Sequence, residues 1–224
     1  MTGTAVKDAR RARGWSQSTL ARRLGVTQAY VSLLESDARG VPDALAARLV
    51  RLLGLPPTEL PHRRPDGALD AAASLGSLAA LGCPHVAHLP RGASLNPAEV
   101  VVRTLRTTPL EARSLETLPW LLRRYPRLDW AWLMSQARQH DLQNRLGFVV
   151  ALASELAAND NDAETASLLD QQAAGLARAI LREPDDLGLP LTRAERVWLT
   201  EHRPPLASRW NVLSNLTAED LPRA

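Results

Sequence analysis

The chain has 224 residues, of which 45% are hydrophobic and 23% are charged, so it is long enough for one large or two modest domains and too apolar to be disordered. No apolar run approaches the roughly 20 residues of a membrane-spanning helix, and the N-terminal residues lack the apolar core of a signal peptide. The single cysteine excludes an intrachain disulfide, so we expect a cytoplasmic protein.

The formal net charge of +3 is distributed unevenly along the chain. Residues 1–64 carry 11 basic and 5 acidic side chains, whereas residues 65–224 carry 16 basic and 19 acidic ones. A basic N-terminal part and a mildly acidic remainder predict that only the N-terminal part contacts phosphate groups.

The first predicted helix covers about residues 4–13, and two short helices joined by a tight turn follow within residues 16–35. Ser16 and Thr27 are suited to cap these two helices, and Gly25 supplies the left-handed backbone of the turn. Apolar residues at helical spacing give each helix one inward face: Leu20, Ala21, Leu24, Val31 and Leu34. This pattern is typical of a helix-turn-helix, whose second helix enters the major groove of DNA.

A further helix is predicted at about residues 43–53, before a proline-rich linker at 55–68, a helix at 69–82 and a loop at 83–96. Apolar periodicity then predicts helices at about 97–107, 109–124, 129–140, 141–158 and 162–182. Asp129 and Asp141 are candidate caps for two of them. Another helix is expected after Thr192, and residues 206–216 are expected to be extended.

The sequence therefore predicts an all-α protein in three parts. Residues 1–55 form a DNA-binding domain, residues 56–93 form a linker with a short helix, and residues 94–224 form a larger helical domain that dimerises or binds a partner.

A set of residues spread over about the first 55 positions occurs at the spacing of a known family: Arg10, Gly14, Ser16, Gln17, Leu20, Ala21, Leu24, Gly25, Val26, Gln28, Val31, Ser32, Leu34 and Glu35. On these residues the N-terminal domain resembles the XRE family of helix-turn-helix regulators, which includes phage repressors. The resemblance implies a bundle of four to five helices like that of λ repressor. It also implies binding to double-stranded DNA, with Arg10 and Glu35 as a structural ion pair.

The resemblance further implies roles for individual side chains. Gln17 is expected to contact a phosphate and to brace Gln28, which can pair bidentately with adenine. The expected base-contacting residues are Gln28, Ala29, Tyr30 and Ser32. The expected phosphate-contacting residues are Gln17, Arg22, Arg23 and Arg39. Alternatively, Arg22 and Arg23 form a solvated face; Trp15 is expected in the core.

No catalytic motif is found, so we expect neither an enzyme nor a cofactor. Cys83, His85 and His88 offer three possible zinc ligands, but a closed site needs four, and no metal is expected. Residues 159–164 have some features of a calcium loop but lack its glycine and terminal glutamate, which favours an exposed turn.

Three short motifs in the C-terminal part occur in a recognisable order: residues 96–101, 143–148 and 208–212. On these motifs the region 94–216 resembles AbiEi-type antitoxins of toxin–antitoxin systems used in phage defence. That resemblance implies a nucleotidyltransferase-type toxin as partner and repression of the shared operon. Those antitoxins carry a winged helix-turn-helix, whereas the N-terminal domain here resembles the XRE type.

Two other functions stay open from sequence. The protein is alternatively a repressor whose C-terminal domain dimerises or senses a small molecule or peptide. It is otherwise an interaction protein whose N-terminal domain docks on another protein, although the basic charge and the outward Gln28 argue against this. If the protein is an antitoxin or a repressor, we expect a homodimer, at least on DNA, at an inverted-repeat operator.

Overall fold

The structure is a computed structural model that describes residues 1–62 and 67–222, so the predicted linker is described only in part. Its contacts divide the chain into two units, which we call the head unit (residues 1–62 with 94–96) and the body unit (residues 67–93 with 97–222). The described residues form twelve α-helices and no strand, with one isolated parallel bridge between Asp185 and Val212. The all-α prediction is confirmed.

Four α-helices form the head unit: Gly3–Ala12 (α1), Gln17–Leu24 (α2), Gln28–Glu35 (α3) and Asp43–Leu53 (α4). Both predicted caps are present, since Ser16 Oγ accepts the Thr19 N–H at 3.0 Å and Thr27 Oγ1 accepts the Tyr30 N–H at 3.2 Å. Gly25 ends α2 with a φ of 68°, in the left-handed region that glycine adopts without strain. The helix-turn-helix predicted from residues 16–35 is thus confirmed.

The helices of the head unit enclose an apolar core that includes every inward residue predicted above: Val6, Leu20, Ala21, Leu24, Val31, Leu34, Leu45, Leu49 and Leu53. At one edge of this core α1 approaches the end of α3 very closely. A Cβ added to Gly3 would lie 2.1 Å from the carbonyl oxygen of Leu34. The Gly3 N–H also donates to Asp37 Oδ1 at 2.6 Å.

Two short segments complete the head unit. A 3₁₀ turn at Pro57–Glu59 follows α4, and Leu60 packs against α4. The Asn96 side-chain amide donates to the carbonyl oxygens of Thr58 at 2.9 Å and Leu60 at 2.7 Å. Parts of the predicted linker and of the predicted C-terminal domain therefore belong to the head unit. The division into ranges 1–55, 56–93 and 94–224 stays a prediction.

Eight α-helices form the body unit: Ala71–Ala80 (α5), Pro97–Leu105 (α6), Ala112–Arg124 (α7), Trp130–Gln139 (α8), Gln143–Asn159 (α9), Ala163–Ala177 (α10), Arg193–His202 (α11) and Pro205–Arg209 (α12). Helix α9 lies at the centre, packs on α7 and α10, and is buried around most of its circumference. A helix that is apolar on all sides is a core helix. Over residues 1–62 and 67–222, the search for a helix long and apolar enough to cross a membrane finds none.

Three local predictions in the body unit turn out differently. Asp129 caps α8 as expected, but α9 begins after Leu142, and Asp141 has a φ of 54° in the tight turn between the helices, a conformation that short polar residues tolerate. Helix α10 ends at Ala177, before the predicted position 182. Of the predicted extended residues 206–216, residues 206–209 are helical, because Pro205 at the first position favours a helical φ, whereas 210–216 are not helical and Val212 forms the isolated bridge.

Candidate nucleic-acid interface

A chain of hydrogen bonds connects the start of α3 to the interior of the head unit. Gln28 Nε2 donates to Gln17 Oε1 at 2.6 Å, and Gln17 Nε2 donates to Glu35 Oε2 at 3.0 Å. Arg10 then binds Glu35 with two N–H groups, at 2.5 Å and 2.9 Å. A third Arg10 N–H donates to the carbonyl oxygen of Trp15 at 2.6 Å. The structure therefore brings together the two glutamines and the ion pair named from the sequence.

The Arg10–Glu35 pair is buried, so its charges must be balanced within the fold. The hydrogen bond to Glu35 raises the pKa of the Arg10 guanidinium. Burial works to raise the pKa of Glu35, but the hydrogen bonds from Arg10 and Gln17 outweigh it, and the pKa is lowered. Both groups are therefore charged at neutral pH. The pair joins α1 to the C-terminal end of α3, and the bond from Gln17 to Glu35 adds α2 to this contact.

The outer face of α3 carries most of the predicted base-contacting residues. Gln28 and Ala29 are exposed, and Ser32 is half-buried one turn later on the same side. Tyr30 differs, because its ring packs against the head core and lies under the Arg39 guanidinium, 4.9 Å from its centroid. Tyr30 and Arg39 are thus in contact with each other beside the outer face of α3.

Leu33, which is not among the predicted base-contacting residues, also lies on this outer face. Its side chain is 45% exposed, although large apolar side chains are normally buried. It follows Ala29 by four positions, which places the two side by side on a helix. Apolar side chains in the major groove can contact the methyl group of thymine. The i+4 spacing from Ala29 was the signal that could have found it.

The predicted phosphate-contacting arginines occupy different surroundings. Arg22 is exposed, and its side chain has no acidic partner among the described residues. Arg23 stacks on the ring of Trp15, 4.3 Å from its centroid, and its carbonyl oxygen accepts an N–H of Arg48 at 3.3 Å. Trp15 is half-buried against the head core, as expected for this position. Arginines can bind phosphate while stacked on aromatic rings, so this geometry leaves both side chains available.

Arg23 belongs to a basic surface formed by α2 and α4. Arg23, Arg48, Arg51 and Leu52 line a shallow cavity of about 330 Å³. Within the described residues, none of these three arginines pairs with a carboxylate. The head unit therefore carries positive charge on this side as well as beside α3.

The body motif at residues 143–148 occupies a joint inside the body unit. Asn144 Oδ1 accepts the Leu181 N–H at 2.8 Å. Arg145 Nε donates to both carboxylate oxygens of Asp185, at 2.9 Å and 2.8 Å, and another of its N–H groups donates to the Leu105 carbonyl at 2.9 Å. These side chains hold the segment after α10 against the start of α9.

The motif at residues 208–212 completes the same joint. A Cβ added to Gly147 would lie 2.0 Å from the ring of Trp210, so this glycine makes room for the tryptophan. Asn211 Nδ2 donates to the carbonyl oxygens of Leu181 at 3.2 Å and Arg182 at 3.0 Å. Asn144, Gly147 and Trp210 of these motifs therefore take part in the interior packing of the body unit, whereas Ser208 and Arg209 are exposed.

The possible metal ligands of the sequence do not assemble. Cys83 is fully buried, and burial raises the pKa of its thiol. His88 is exposed, while His85 is half-buried. Among the residues that the structure describes, no three His, Cys, Asp or Glu side chains are grouped as metal ligands.

Comparison with known proteins yields one match, in the head. A helix-turn-helix family model matches residues 6–60, about a quarter of the chain. No curated protein and no solved structure matches the chain. The matched residues include all of α2 and α3 and the whole Gln28–Gln17–Glu35 chain of hydrogen bonds. The head unit is therefore a DNA-binding domain of the helix-turn-helix type found in transcriptional regulators.

Proposed function

We propose that the protein is a sequence-specific repressor that reads its operator with the outer face of α3. The bond from Gln28 to Gln17 carries this proposal. It uses one N–H of the Gln28 amide and leaves the second N–H and Oε1 without a partner among the described residues. Adenine presents one acceptor and one donor in the major groove, which this free pair matches. Ala29, Ser32 and Leu33 line the same face and extend the surface over neighbouring bases.

A single head covers few base pairs, so the proposed operator is an inverted repeat bound by two copies. Coupling two weak contacts in one complex raises the overall affinity without any new contact to a base. The two-fold symmetry of such a dimer matches that of a palindromic site.

The reading role of Gln28 predicts a loss of specificity in Gln28→Ala. We expect binding to the protein's own promoter to weaken by about 1–3 kcal/mol per half-site, because the base contact is lost, with a much smaller change on scrambled duplex. Fluorescence anisotropy at fixed salt measures both affinities. Gln139→Ala, at an exposed glutamine of α8, is the matched control and should change neither. Equal weakening on both duplexes would contradict the base contact.

For the body unit we propose an antitoxin role, in which it restrains a nucleotidyltransferase-type toxin while the head represses the shared operon. The support is the resemblance of residues 94–216 to AbiEi-type antitoxins. Because Asn144, Gly147 and Trp210 of the matching motifs make interior contacts, these residues support a shared body fold rather than a shared contact surface. A toxin pair requires a linked nucleotidyltransferase gene, so the gene neighbourhood and co-purification with that gene's product test the role.

The alternative is a repressor whose body dimerises or senses an effector. An apolar cavity of about 180 Å³, lined by Leu110, Leu115, Leu187, Leu189 and Leu216 among others, is smaller than the roughly 300–1,000 Å³ of ordinary ligand sites. A larger hollow of about 690 Å³ along α10 is lined by small and polar side chains and is open to solvent. Neither of these two cavities combines an enclosed apolar lining with the volume of an ordinary ligand site.

A further inference from the structure

Helix α11 is the one α-helix in the described part of the chain in which no residue is buried. Val197 and Trp198 are each 52% exposed, and the other exposed large apolar residue in residues 1–62 and 67–222 is Leu33 on the reading face. Two adjacent exposed apolar side chains, one of them a tryptophan, are unusual on a protein surface. Tryptophan is also the residue most enriched at the centres of protein interfaces.

The exposed helix is nevertheless firmly formed. Thr192 Oγ1 accepts the Glu195 N–H at 3.2 Å, and the Glu195 carboxylate accepts the Thr192 N–H at 2.7 Å, which makes a complete capping box. Arg196 pairs with Asp186, which ties the helix to the preceding loop. A helix that is ordered before binding loses little conformational entropy on association.

The tryptophan ring is also fixed in orientation. It stacks on the His202 ring with centroids 4.8 Å apart and an interplanar angle of 9°. His202 Nδ1 lies 2.8 Å from the carbonyl oxygen of Trp198, which anchors the imidazole. The outer edge of Trp198 therefore presents a rigid apolar surface to a partner.

The outward residues of α11 follow helical spacing. Ala194, Val197, Trp198 and Glu201 stand at positions i, i+3, i+4 and i+7, so they share one face. Ala194 is small enough to let another helix approach closely. Arg193 and Glu201 are exposed at opposite ends, about 12 Å apart along the axis, and neither has a charged partner among the described residues.

We propose that α11 is the contact through which two copies of this chain dimerise, with the two helices antiparallel around a two-fold axis at Val197 and Trp198. Arg193 of each copy then faces Glu201 of the other, and the apolar side chains fill the centre. This inference rests on the proposed function, because the α11 contact would couple the two heads that bind an inverted repeat.

The charge pattern favours a second copy over a different protein. A two-fold contact requires a surface that complements itself, and a helix with a cation at one end, an anion at the other and an apolar centre meets that requirement when antiparallel. A contact made by one ten-residue helix is small beside the roughly 1,200–2,000 Å² of stable interfaces. The dimer is therefore weak in solution and is reinforced by the operator.

Sedimentation equilibrium of the full chain without DNA tests the contact by charge reversal. Arg193→Glu and Glu201→Arg each place like charges together twice in the dimer, and each should raise the dissociation constant about tenfold. The double variant restores opposite charges and should return to within about threefold of the original value. Both single changes place charges that suit the helix dipole, so loss of helix cannot explain weaker association.

Two further variants complete the test. Trp198→Ala should weaken association more than either charge reversal, whereas Arg182→Glu, an exposed charge reversal outside α11, should leave it unchanged. A wild-type chain that stays monomeric up to about 1 mM overturns the proposal, as does a double variant that behaves like the single ones. These measurements contain no DNA. A failure to bind the promoter would therefore refute the proposed function and leave this result standing.

Discussion

Glu35 determines the orientation of two glutamine side chains in the head unit. A carboxylate only accepts hydrogen bonds, so Gln17 must turn its amide N–H toward Glu35, and its oxygen is left to accept from Gln28. The direction of the Gln28 amide, and hence the donor and acceptor that it offers to a base in the proposed complex, is set by a buried charge.

Breaking this arrangement should be costly at the scale of one residue. In Glu35→Gln the buried Arg10 loses its counter-ion, and we expect the unfolding free energy of the head unit to fall by about 3–5 kcal/mol. Trp15 is the only tryptophan among the described residues of the head unit, so the ¹⁹F resonance of a fluorinated Trp15 reports urea unfolding of this unit alone. Asp8→Asn, at an exposed carboxylate of α1, is the control.

The same variant has a defined effect on pH dependence. Because the pKa of Glu35 is lowered in the folded head, its stabilisation is present above the ordinary glutamate value of about 4.3. This stabilisation is lost as pH falls from there through the lower folded-state pKa. This decrease in the unfolding free energy at acid pH should be absent in Glu35→Gln and retained in Asp8→Asn. Identical pH profiles for the two variants would contradict the linkage.

At this scale the sequence marks polar residues of α2 and α3 but not their apolar neighbour. The family pattern includes Gln17 and Gln28, whose side chains are hydrogen-bonded in the structure, whereas it does not include Leu33, which is exposed one turn after Ala29. Tyr30 was placed on the reading face, whereas its ring rests on the core beneath Arg39. Nothing local in the sequence indicates that these two side chains meet.

At the scale of elements, the head depends on how closely α1 meets α3. Gly3 allows this approach, since any Cβ there would enter the backbone of Leu34 and Glu35. The contact places the start of α1 against the end of the reading helix. The position of α3 is therefore held from both ends, by Gly3 at one and by the Gln17–Gln28 bond at the other.

Gly3→Ala should therefore destabilise the head unit by about 1–3 kcal/mol through overpacking. The fluorinated Trp15 resonance again measures urea unfolding. Gly40→Ala is the matched control, because nothing lies within 4 Å of a Cβ added there, and it should be neutral or slightly stabilising. If both substitutions change the unfolding free energy equally, α1 can move away from α3 without loss of stability.

Elements were predictable where their signals are local. Ser16, Gly25 and Thr27 mark helix ends within a few residues, and the structure places caps and turn there. Asp141 has the right residue type for a cap, but the three-residue connection between α8 and α9 needs a left-handed backbone at that position. The local sequence does not reveal whether Asp141 caps α9 or adopts the left-handed backbone of the turn.

At the scale of the whole molecule, the head unit draws on two distant stretches of chain. Asn96 lies 36 residues after Leu60, yet its amide holds the turn that follows α4. The proline content of residues 55–68 indicated a linker, and it gave no sign that Leu60 packs on α4 or that residues 94–96 return to it. Such pairings depend on the folded path of the chain, which periodicity does not encode.

Asn96→Ala tests whether this returning segment supports the head unit. The change leaves the carbonyl oxygens of Thr58 and Leu60 without these donors, and we expect a loss of about 1–3 kcal/mol in the unfolding free energy of the head unit. Ser94→Ala, at an exposed position of the same segment, should have little effect. If both variants unfold at the same urea concentration as the wild type, the Asn96 amide does not stabilise the head unit.

The hydrogen bond between Gln28 and Gln17 also restricts how such a regulator could evolve toward a new target. The Gln17 oxygen can accept a hydrogen bond from a side chain at position 28 that carries N–H groups, such as asparagine, lysine or arginine. These side chains recognise purines. A glutamate there, suited to cytosine, would repel that oxygen unless Gln17 reversed its amide and gave up Glu35. If Gln28 reads adenine as proposed, single substitutions at this position lead to guanine more readily than to a pyrimidine.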